Sequence, residues 1–436
     1  MPERRPIDDC VHCGFCLPVC PTWVAWGDEM DSPRGRIDLA RAVADGSVAF
    51  DGVVVSHFDR CLGCMACLGA CPSGVRYDVI VEEVRARIER EYPRRPLDGL
   101  RRRVIFALFP YPARLKVMAA LLWLYARSGL QWLVRKTGLL RLLSPWLAQL
   151  DGLAPEVTLH HLSATLPPLT PARGPRRARV GLVAGCVQKV FFPGVNEATI
   201  RVLAAEGCEV VVPPGQGCCG ALSVHAGRED EARRMTRALI ERFEAAGVDH
   251  VVLNAAGCGS HLKDCRFLFA GDPFAGRAAA FSTKVRDVTE FLASLPPLAE
   301  RHRLEARVAY HSPCHLGHAQ GVVEQPRNLL RAIPGLELCE VPESEHCCGS
   351  AGVYNLVEAQ ASNEIGARKV RNVLSTKADL VASANPGCTL HMQHLLREQG
   401  LSIRAAHPIE ILDASIRGDA GAIPRSPPAP GDGREA

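Results

Sequence analysis

CVHCGFCLPVCP, residues 10–21, recurs as CLGCMACLGACP at residues 61–72. Both stretches have the spacing C-x2-C-x2-C-x3-C-P, in which three thiolates surround one cubane iron-sulfur cluster and the fourth reaches the other cluster. The spacing therefore predicts two 4Fe-4S clusters with crossed ligands. The first is expected to use Cys10, Cys13, Cys16 and Cys71, and the second Cys61, Cys64, Cys67 and Cys20.

Zinc and disulfides are the alternatives to clusters. Zinc sites take four ligands in two separated pairs, a pattern that two runs of four cysteines match poorly. Disulfides require an oxidising compartment, and the first residues, MPERRPIDDC, lack the apolar segment of a secretory signal. The sequence therefore predicts a cytoplasmic protein whose cysteines bind metal.

Composition indicates a globular chain of two or three domains. Of the 436 residues, 47% are hydrophobic and 22% are charged. The 19 cysteines indicate metal or redox chemistry rather than a disulfide framework. Eight lie in the two runs and eight in a later duplication, which leaves Cys208, Cys265 and Cys339.

Positive charge is concentrated in one window of the chain. Residues 85–141 contain fourteen Lys or Arg and three acidic residues, so they carry +11, whereas the whole chain carries +4. Such a surface suits a partner protein or an anionic membrane. Nucleic acid is not an expected partner, because no aromatic platform or recognition motif accompanies the charge.

Residues 1–92 are expected to form an α-helical ferredoxin-like domain. Between the cysteine runs, Ser32 can cap a helix that begins at Pro33 and carries Ile37 and Val43 on its apolar side. Strand signals are nearly absent. The sequence therefore predicts helices between the runs rather than the hairpins of a compact ferredoxin.

Residues 93–165 form a basic, apolar segment that is predicted to be helical. Its uncharged runs, 104–113 and 117–126, are about half as long as a membrane span. The segment is expected either to pack against the rest of the protein or a partner subunit, or to contact the inner face of the cytoplasmic membrane peripherally. A proline-rich linker at 166–178 follows it, and a disordered tail is predicted at 418–436.

The chain repeats itself in residues 179–300 and 301–417. In each copy a short strand ends at a cysteine, a second strand leads to a Cys-Cys-Gly triplet, and a third strand precedes a last cysteine. Strands that alternate with helices predict a parallel sheet with helices on its faces. The predicted fold class is α+β multidomain: a helical ferredoxin-like domain followed by a duplicated α/β domain with parallel sheets.

The duplicated cysteines fall where strands end and helices begin, which is where open α/β sheets bind ligands. The gaps between them are 31 and 38 residues in the first copy and 32 and 39 in the second. They form a candidate additional metal or redox site in each copy: Cys186, Cys218, Cys219 and Cys258, then Cys314, Cys347, Cys348 and Cys388. The alternative is that they are buried structural cysteines, which pack as small hydrophobic residues.

The C-x31-CCG-x38-C pattern resembles the cysteine-rich CCG domain of heterodisulfide reductases and related electron-transfer subunits. Together with SPRGRI at 32–37 and CPSGVRY at 71–77, the order of motifs from about residue 9 to residue 413 most closely resembles the iron-sulfur subunit of glycolate oxidase. The resemblance implies that the eight N-terminal cysteines are cluster ligands. It also implies FAD-binding partner subunits that oxidise glycolate or a related 2-hydroxyacid, while this subunit relays electrons to a respiratory acceptor such as quinone.

The repeat departs from the fullest CCG pattern at one place. That pattern ends in C-x2-C, whereas the final pairs here are Cys258-x2-His261 and Cys388-x2-His391. Each copy lacks a fifth thiolate, so the resemblance does not extend to the two non-cubane clusters of the heterodisulfide reductase catalytic subunit. The two histidines are either substitute ligands or, in the favoured interpretation, ordinary polar residues at a helix start.

The chain has no GxGxxG fingerprint and no Walker-type phosphate loop, so the two-electron step is expected to belong to a partner. The favoured function is therefore the iron-sulfur subunit of an oxidoreductase complex, without glycolate turnover of its own. Two alternatives stay open. One is the iron-sulfur subunit of an anaerobic glycerol-3-phosphate dehydrogenase, and the other is a heterodisulfide-reductase-like catalytic subunit that acts through its CCG domains.

Overall fold

The computed structural model describes residues 6–401 and 403–422. No strand occurs in residues 6–92, all of which are described, so the predicted helical ferredoxin-like domain is confirmed. Ser32 caps one of its helices, because its Oγ accepts a hydrogen bond from Gly35 N at 3.0 Å and Pro33 takes the first helical position. The helices are α1 Pro21–Trp26, α2 Pro33–Ala44, α3 Gly52–Asp59, α4 Ala66–Ala70 and α5 Tyr77–Glu91, with short 3-10 turns at Pro6–Asp9 and Glu29–Asp31.

Six helices form the basic apolar segment. One side of the longest helix is buried, since Leu115 and Ala119 pack into the core of the first α/β half. The other side is open, with Leu121 and Leu124 62% and 58% exposed, so packing against this chain accounts for only one side of the segment. The helices are α6 Pro96–Leu108, α7 Pro112–Arg127, α8 Leu130–Thr137, α9 Leu139–Leu143, α10 Pro145–Leu153 and α11 Leu159–Ser163.

Within the part of the chain that the structure describes, no helix taken alone has the length and apolarity of a membrane span. The α6 and α7 helices meet those criteria only as a pair, and the chain bends by 103° between them.

The first α/β half contains a five-stranded sheet in the order β1-β3-β2-β4-β5. Its strands are parallel except β1, which pairs antiparallel with β3 at Leu169 opposite Val211. Because β1 lies in the predicted linker 166–178, part of that linker is an edge strand rather than an exposed boundary. The elements are β1 Leu169–Thr170, β2 Ala178–Leu182, α12 Val187–Phe191, α13 Pro193–Ala205, β3 Cys208–Val211, α14 Ala221–Val224, α15 Glu229–Ala246, β4 His250–Leu253, α16 Ala256–Leu268, α17 Ala275–Ser282, β5 Val285–Asp287 and α18 Val288–Ala293.

The second half repeats this arrangement with a fully parallel four-stranded sheet in the order β7-β6-β8-β9. The duplicated α/β prediction is therefore confirmed. Its elements are β6 Ala306–His311, α19 Cys314–Gly317, α20 Glu324–Arg331, β7 Leu336–Glu340, α21 Tyr354–Val357, α22 Ala359–Ser375, β8 Leu380–Ser383, α23 Pro386–Glu398, β9 Arg404–Ala406 and α24 Pro408–Arg417. Of the predicted tail, Ala420–Ala422 form a 3-10 turn, and residues 423–436 lie outside the described part of the chain.

The two halves share one hydrophobic core, to which both sheets contribute. Their helices pack reciprocally, because α13 of the first half contacts α24 of the second, and α20 of the second contacts α18 of the first. In each sheet the chain leaves the first central strand for one neighbour and later returns to the other. Such a switch point is where open α/β sheets place their ligands, and Cys186 and Cys314 lie just beyond it.

Candidate iron-sulfur centres

The first group comprises Cys10, Cys13, Cys16 and Cys71, which line one small cavity together with Cys67 of the second group. The loop that carries the first three turns at His12 and Gly14, whose φ angles are 57° and 84°. These left-handed turns wrap the backbone around the sulfurs. Cys71 thus lies with the first run, which is the grouping that crossed ligation needs. Ligation itself stays a prediction.

The second group lies deeper in the protein and comprises Cys20, Cys61, Cys64 and Cys67, all of which are buried. Burial raises the pKa of Cys67 well above its usual value, and Cys64, Cys61, Cys20 and, least of these, Cys16 of the first group raise it further. Like charges have this effect only at short range, so Cys67 lies near the other sulfurs of its own group and also near Cys16. A metal centre would relieve the cost, because thiols lose their protons when they bind metal.

Cys61 differs from its neighbours because its surroundings favour the thiolate. Burial is the largest single influence and raises its pKa, but Arg36, Arg85 and two hydrogen bonds together bring the pKa below its usual value. Tyr77 Oη donates to Cys61 Sγ at 3.5 Å, and Gly63 N donates at 3.4 Å. Donors to sulfur of this kind tune the reduction potential of a cluster.

Residues of the SPRGRI motif fix the backbone beside the second cysteine group. Arg36 is 1% exposed and donates to the carbonyl oxygens of Asp31 and His57, each at 2.6 Å. A Cβ on Gly35 would lie 1.9 Å from the carbonyl oxygen of Glu29, so only glycine allows this close turn. The motif SPRGRI entered the sequence interpretation only through its resemblance, because the burial of Arg36 is visible only in the folded domain.

The eight duplicated cysteines line a single cavity of about 760 Å³ between the two halves. Cys186 Sγ lies 3.6 Å from Cys218 Sγ. Cys258 and Cys388 are the third residues of α16 and α23. The structure therefore brings together the two sets that the repeat predicted separately.

The glycine of each Cys-Cys-Gly triplet is required by its backbone. Gly220 and Gly349 have φ angles of 99° and 88°, in the left-handed region. A Cβ on Gly349 would lie 2.3 Å from the carbonyl oxygen of Ser362, and one on Gly220 would lie 2.8 Å from Thr236 Oγ1. The triplet thus turns directly against the following long helix and aims both cysteines at the cavity.

The histidines after the last cysteines have partners other than sulfur. His261 Nε2 lies 2.9 Å from Thr236 Oγ1, and His391 Nε2 lies 3.2 Å from Ser362 Oγ. Burial lowers the pKa of each to about 4, so both rings are neutral. These contacts are those of buried polar residues that hold the triplet against the helix behind it.

A further histidine, His311, ends strand β6, and no motif in the sequence marks it as a site residue. One of its ring nitrogens and the sulfurs of Cys348 and Cys388 all lie within 4.8 Å of one another, and all three residues are buried. Burial, followed by the charge of Lys369, holds the pKa of His311 well below its usual value. The ring is therefore neutral, which is the form that binds metals.

The second cysteine group touches both α/β halves. Cys64 shares an apolar cluster with Cys314 and Cys347 of the second half, and Cys314 is the neighbour that most raises the pKa of Cys64 after burial. His315 Nε2 lies 3.0 Å from the Gly63 carbonyl oxygen, so its ring, whose pKa burial lowers to about 3, is oriented to donate there. Arg85 Nη1 donates to the His225 carbonyl oxygen of the first half at 3.0 Å.

The donor sets fit iron-sulfur chemistry. Two groups of four cysteines lie in a helical domain, and the second group borders a cavity that eight further cysteines line. Thiolates are the ligands that iron-sulfur clusters prefer. The fold and the site therefore define an iron-sulfur electron-transfer subunit.

Comparison with known proteins narrows this class. The family model described as 4Fe-4S dicluster domain matches residues 6–75, the one described as Cysteine-rich domain matches 180–263 and 308–393, and the one described as Glycolate oxidase iron-sulfur subunit, linker region, matches 97–154. The chain belongs to the family of glycolate oxidase iron-sulfur subunits. It thus carries iron-sulfur chemistry as the electron-transfer subunit of a multi-subunit oxidase or dehydrogenase.

Similar curated proteins agree with this assignment. The chain is 39% identical over 415 residues to the probable glycolate oxidase iron-sulfur subunit of Bacillus subtilis (strain 168), with 93% of each chain covered. It is 32% identical over 422 residues to the glycolate oxidase iron-sulfur subunit of Escherichia coli (strain K12), again with 93% of each covered. Lactate utilization protein A of Geobacillus sp. (strain WCH70) is 30% identical over 238 residues, which cover 54% of this chain and 99% of that protein.

Proposed function

We propose that this chain relays electrons in a complex that oxidises glycolate or a related 2-hydroxyacid. The observation that carries the proposal is the succession of cysteine groups, which leads from the exposed Cys13 through the buried second group to the cavity between the CCG halves. The similarity to glycolate oxidase iron-sulfur subunits supports the choice of substrate class. FAD-binding partner subunits perform the two-electron oxidation, because the chain carries no dinucleotide fingerprint of its own.

The N-terminal cysteines are proposed to hold two 4Fe-4S clusters, which supply one-electron transfer. Their grouping supports this assignment: Cys10, Cys13, Cys16 and Cys71 for one cluster, and Cys20, Cys61, Cys64 and Cys67 for the other. The CCG cysteines are proposed to hold a further metal centre in each half, supported by their shared cavity. Arg36 and Tyr77 orient Cys61 and stabilise its thiolate.

The respiratory acceptor is proposed to be a quinone, reached at the cytoplasmic face of the membrane. The exposed apolar side of the basic segment supports a peripheral contact there. Apolar residues of the same segment, such as Ile105 and Leu122, line the cavity that holds the CCG cysteines. An apolar molecule at this surface is therefore adjacent to the end of the electron path.

The shared cavity also favours one other function, thiol-disulfide chemistry at the CCG cysteines. The cavity, of about 760 Å³, is large enough for a small disulfide substrate between the two sets. The two functions differ in a simple way. Disulfide chemistry requires that the chain with reduced clusters cleaves a disulfide catalytically, whereas the relay requires that it passes electrons to a quinone analogue.

The test uses the complex purified anaerobically with its native partners. Glycolate should reduce the bound flavin and then a quinone analogue, while glycerol 3-phosphate should reduce neither. Cys16→Ser and Cys67→Ser should each lose about four irons per chain and the reduction of the quinone analogue, while flavin reduction persists. Cys339→Ser, at a partly exposed cysteine outside these groups, is the matched control and should behave as wild type. Fewer than about seven irons per wild-type chain would contradict two intact clusters.

A further inference from the structure

His311 is buried beside the cysteines of the second half without a hydrogen-bonding partner. The residue is 1% exposed, and neither ring nitrogen has a partner among the residues that the structure describes. A neutral imidazole carries one donor and one acceptor. Buried polar groups are nearly always paired, so a side chain with two unpaired nitrogens indicates a ligand that the protein itself does not supply.

The surroundings of His311 indicate what that ligand is. A ring nitrogen of His311 and the sulfurs of Cys348 and Cys388 lie within 4.8 Å of one another, close enough for one metal ion or cluster to contact all three. Two sulfurs and one nitrogen are a donor set that zinc and iron-sulfur centres accept. Asn385 Nδ2 donates to Cys388 Sγ at 3.3 Å, which orients that sulfur.

The first half lacks this imidazole. Val183 precedes Cys186 by three residues, as His311 precedes Cys314, and Val183 is 2% exposed in its own core. A valine side chain has no atom that can bind a metal, so Val183 contributes only apolar packing. The cysteine framework is therefore repeated, whereas the nitrogen donor occurs in one copy only.

We infer that His311 is a nitrogen ligand, together with Cys348 and Cys388, of the metal centre in the second half, and that the two halves hold chemically different centres. The inference rests on the proposed function of Cys348 and Cys388 as metal ligands. Both halves keep four cysteines, so His311 adds a neutral nitrogen ligand to the second centre without replacing a thiolate. The second half is also the half whose Cys314 and Cys347 share an apolar cluster with Cys64.

The test measures nitrogen ligation directly in the full-length chain within its complex. Protein grown with 14N- or 15N-histidine is examined by pulsed EPR for a paramagnetic iron centre and by X-ray absorption at the zinc edge for zinc. Wild type should show a histidine nitrogen at one centre. That signal should vanish in His311→Ala and persist in Val183→Ala, the matched control, and in His391→Ala.

A second variant keeps the inference testable if His311→Ala fails to fold. His311→Cys offers a thiolate at the same place, so it should retain the metal while losing the nitrogen signal. The signals of the two N-terminal clusters report that each variant is folded.

Two results would overturn the inference. The nitrogen signal could be absent from wild type, or it could survive in His311→Ala. Either result would mean that His311 pairs instead with a buried water, for example one shared with Ser383, which lies opposite it in the sheet. Failure of the proposed function looks different, because Cys348→Ser and Cys219→Ser would then leave the metal content of the complex unchanged.

Discussion

The two CCG halves share one fold but differ in what surrounds their cysteines. The second half places His311 and Lys369, each 1% exposed, beside its set. The first half has Val183 in place of the histidine, and its long helix Glu229–Ala246 contains no lysine. The repeated framework thus positions the sulfurs, while the unrepeated neighbours make the surroundings of the two sets chemically different.

Lys369 shows how the second half is specialised. Its Nζ donates to the carbonyl oxygens of Glu343 and Ser344 at 2.7 and 3.0 Å. Burial lowers its pKa, and the nearby thiolates, of which Cys348 is the strongest, oppose that change. A buried cation beside a cluster stabilises the reduced form, which carries the additional negative charge.

The largest expected effect comes from removing the central cysteine of either triplet. Cys348→Ser should abolish reduction of the quinone analogue by the complex, because Cys314 and Cys347 of its half share an apolar cluster with Cys64. Cys219→Ser should leave a measurable fraction. The measurement is glycolate-dependent reduction at equal loading of the N-terminal clusters. Equal losses of activity in the two variants would show that the halves do not differ in function. Wild-type activity in both variants would show that the CCG halves have only a structural role.

The glycines of the triplets allow a comparison of stability. Gly349→Ala should cost about 4 kcal/mol, because the new Cβ meets the Ser362 carbonyl oxygen, a backbone atom, at 2.3 Å and the φ angle is unfavourable. Gly220→Ala should cost about 2 kcal/mol, since the nearest atom is the Thr236 hydroxyl at 2.8 Å. Urea unfolding followed by circular dichroism measures both.

The control for this pair is Gly247→Ala, where φ is 60° and no atom lies within 4 Å of the added Cβ. It should cost about 1 kcal/mol, which is the price of the left-handed backbone alone. If all three variants lost the same stability, the close approach of each triplet to its helix would not add to the cost of substitution. The glycines would then be needed only for the left-handed backbone conformation of the turn.

Much of the site was predictable because its signals are local. Cysteine spacing and short apolar runs are read within a few residues, so the strand ends that carry Cys186 and Cys314 were predicted correctly. The parallel sheets followed from the same alternation of strands and helices. The grouping of Cys71 with the first run was predictable as well, because the reach of the fourth cysteine is a property of the motif.

What the sequence did not predict depends on contacts between distant residues. Leu169 and Thr170 read as linker, and only their pairing with β3 makes them a strand. His311 reads as a strand residue, and its approach to Cys348 and Cys388 exists only in the folded sheet. For α7 the sequence left two alternatives, packing against the protein or a partner and a peripheral membrane contact, because a helix apolar on most sides does not itself identify what covers it.

The acids of the two repeated helix caps should respond to pH in different windows. Burial raises the pKa of Glu410 in the second half to about 7, from 4.5. An acid that is protonated more readily in the folded chain stabilises the fold at low pH, and this contribution is lost as the pH rises from about 4.5 to 7. Glu410→Gln should therefore gain stability relative to wild type across that window, up to about 3 kcal/mol.

In the first half, Asp287 occupies the N-cap of the equivalent helix, where the second half has His407, and the variant for comparison is Asp287→Asn. Burial raises the pKa of Asp287 from 3.8 to about 6, so the relative gain of that variant should be complete near pH 6. Between pH 6 and 7 only the Glu410 variant should still change, as measured by urea unfolding at a series of pH values. Identical pH profiles for the two variants would show that the caps are electrostatically equivalent.

The smallest expected effect on stability concerns the two helix contacts between the halves, α13 with α24 and α20 with α18. We call these contacts the reciprocal joints. Arg201 of α13 pairs with Asp413 of α24 at 2.8 Å, whereas α18 has Ala293 at the position that corresponds to Asp413. Arg201→Ala should cost about 1 kcal/mol in urea unfolding, because Asp413 is 3% exposed but keeps its ion pair with Arg417 at 3.0 Å. Arg277→Ala removes a solvent-exposed ion pair with Glu244 and should leave stability unchanged. A loss for Arg201→Ala no greater than for Arg277→Ala would mean that apolar contacts alone hold both joints, and that the halves differ only around their cysteines.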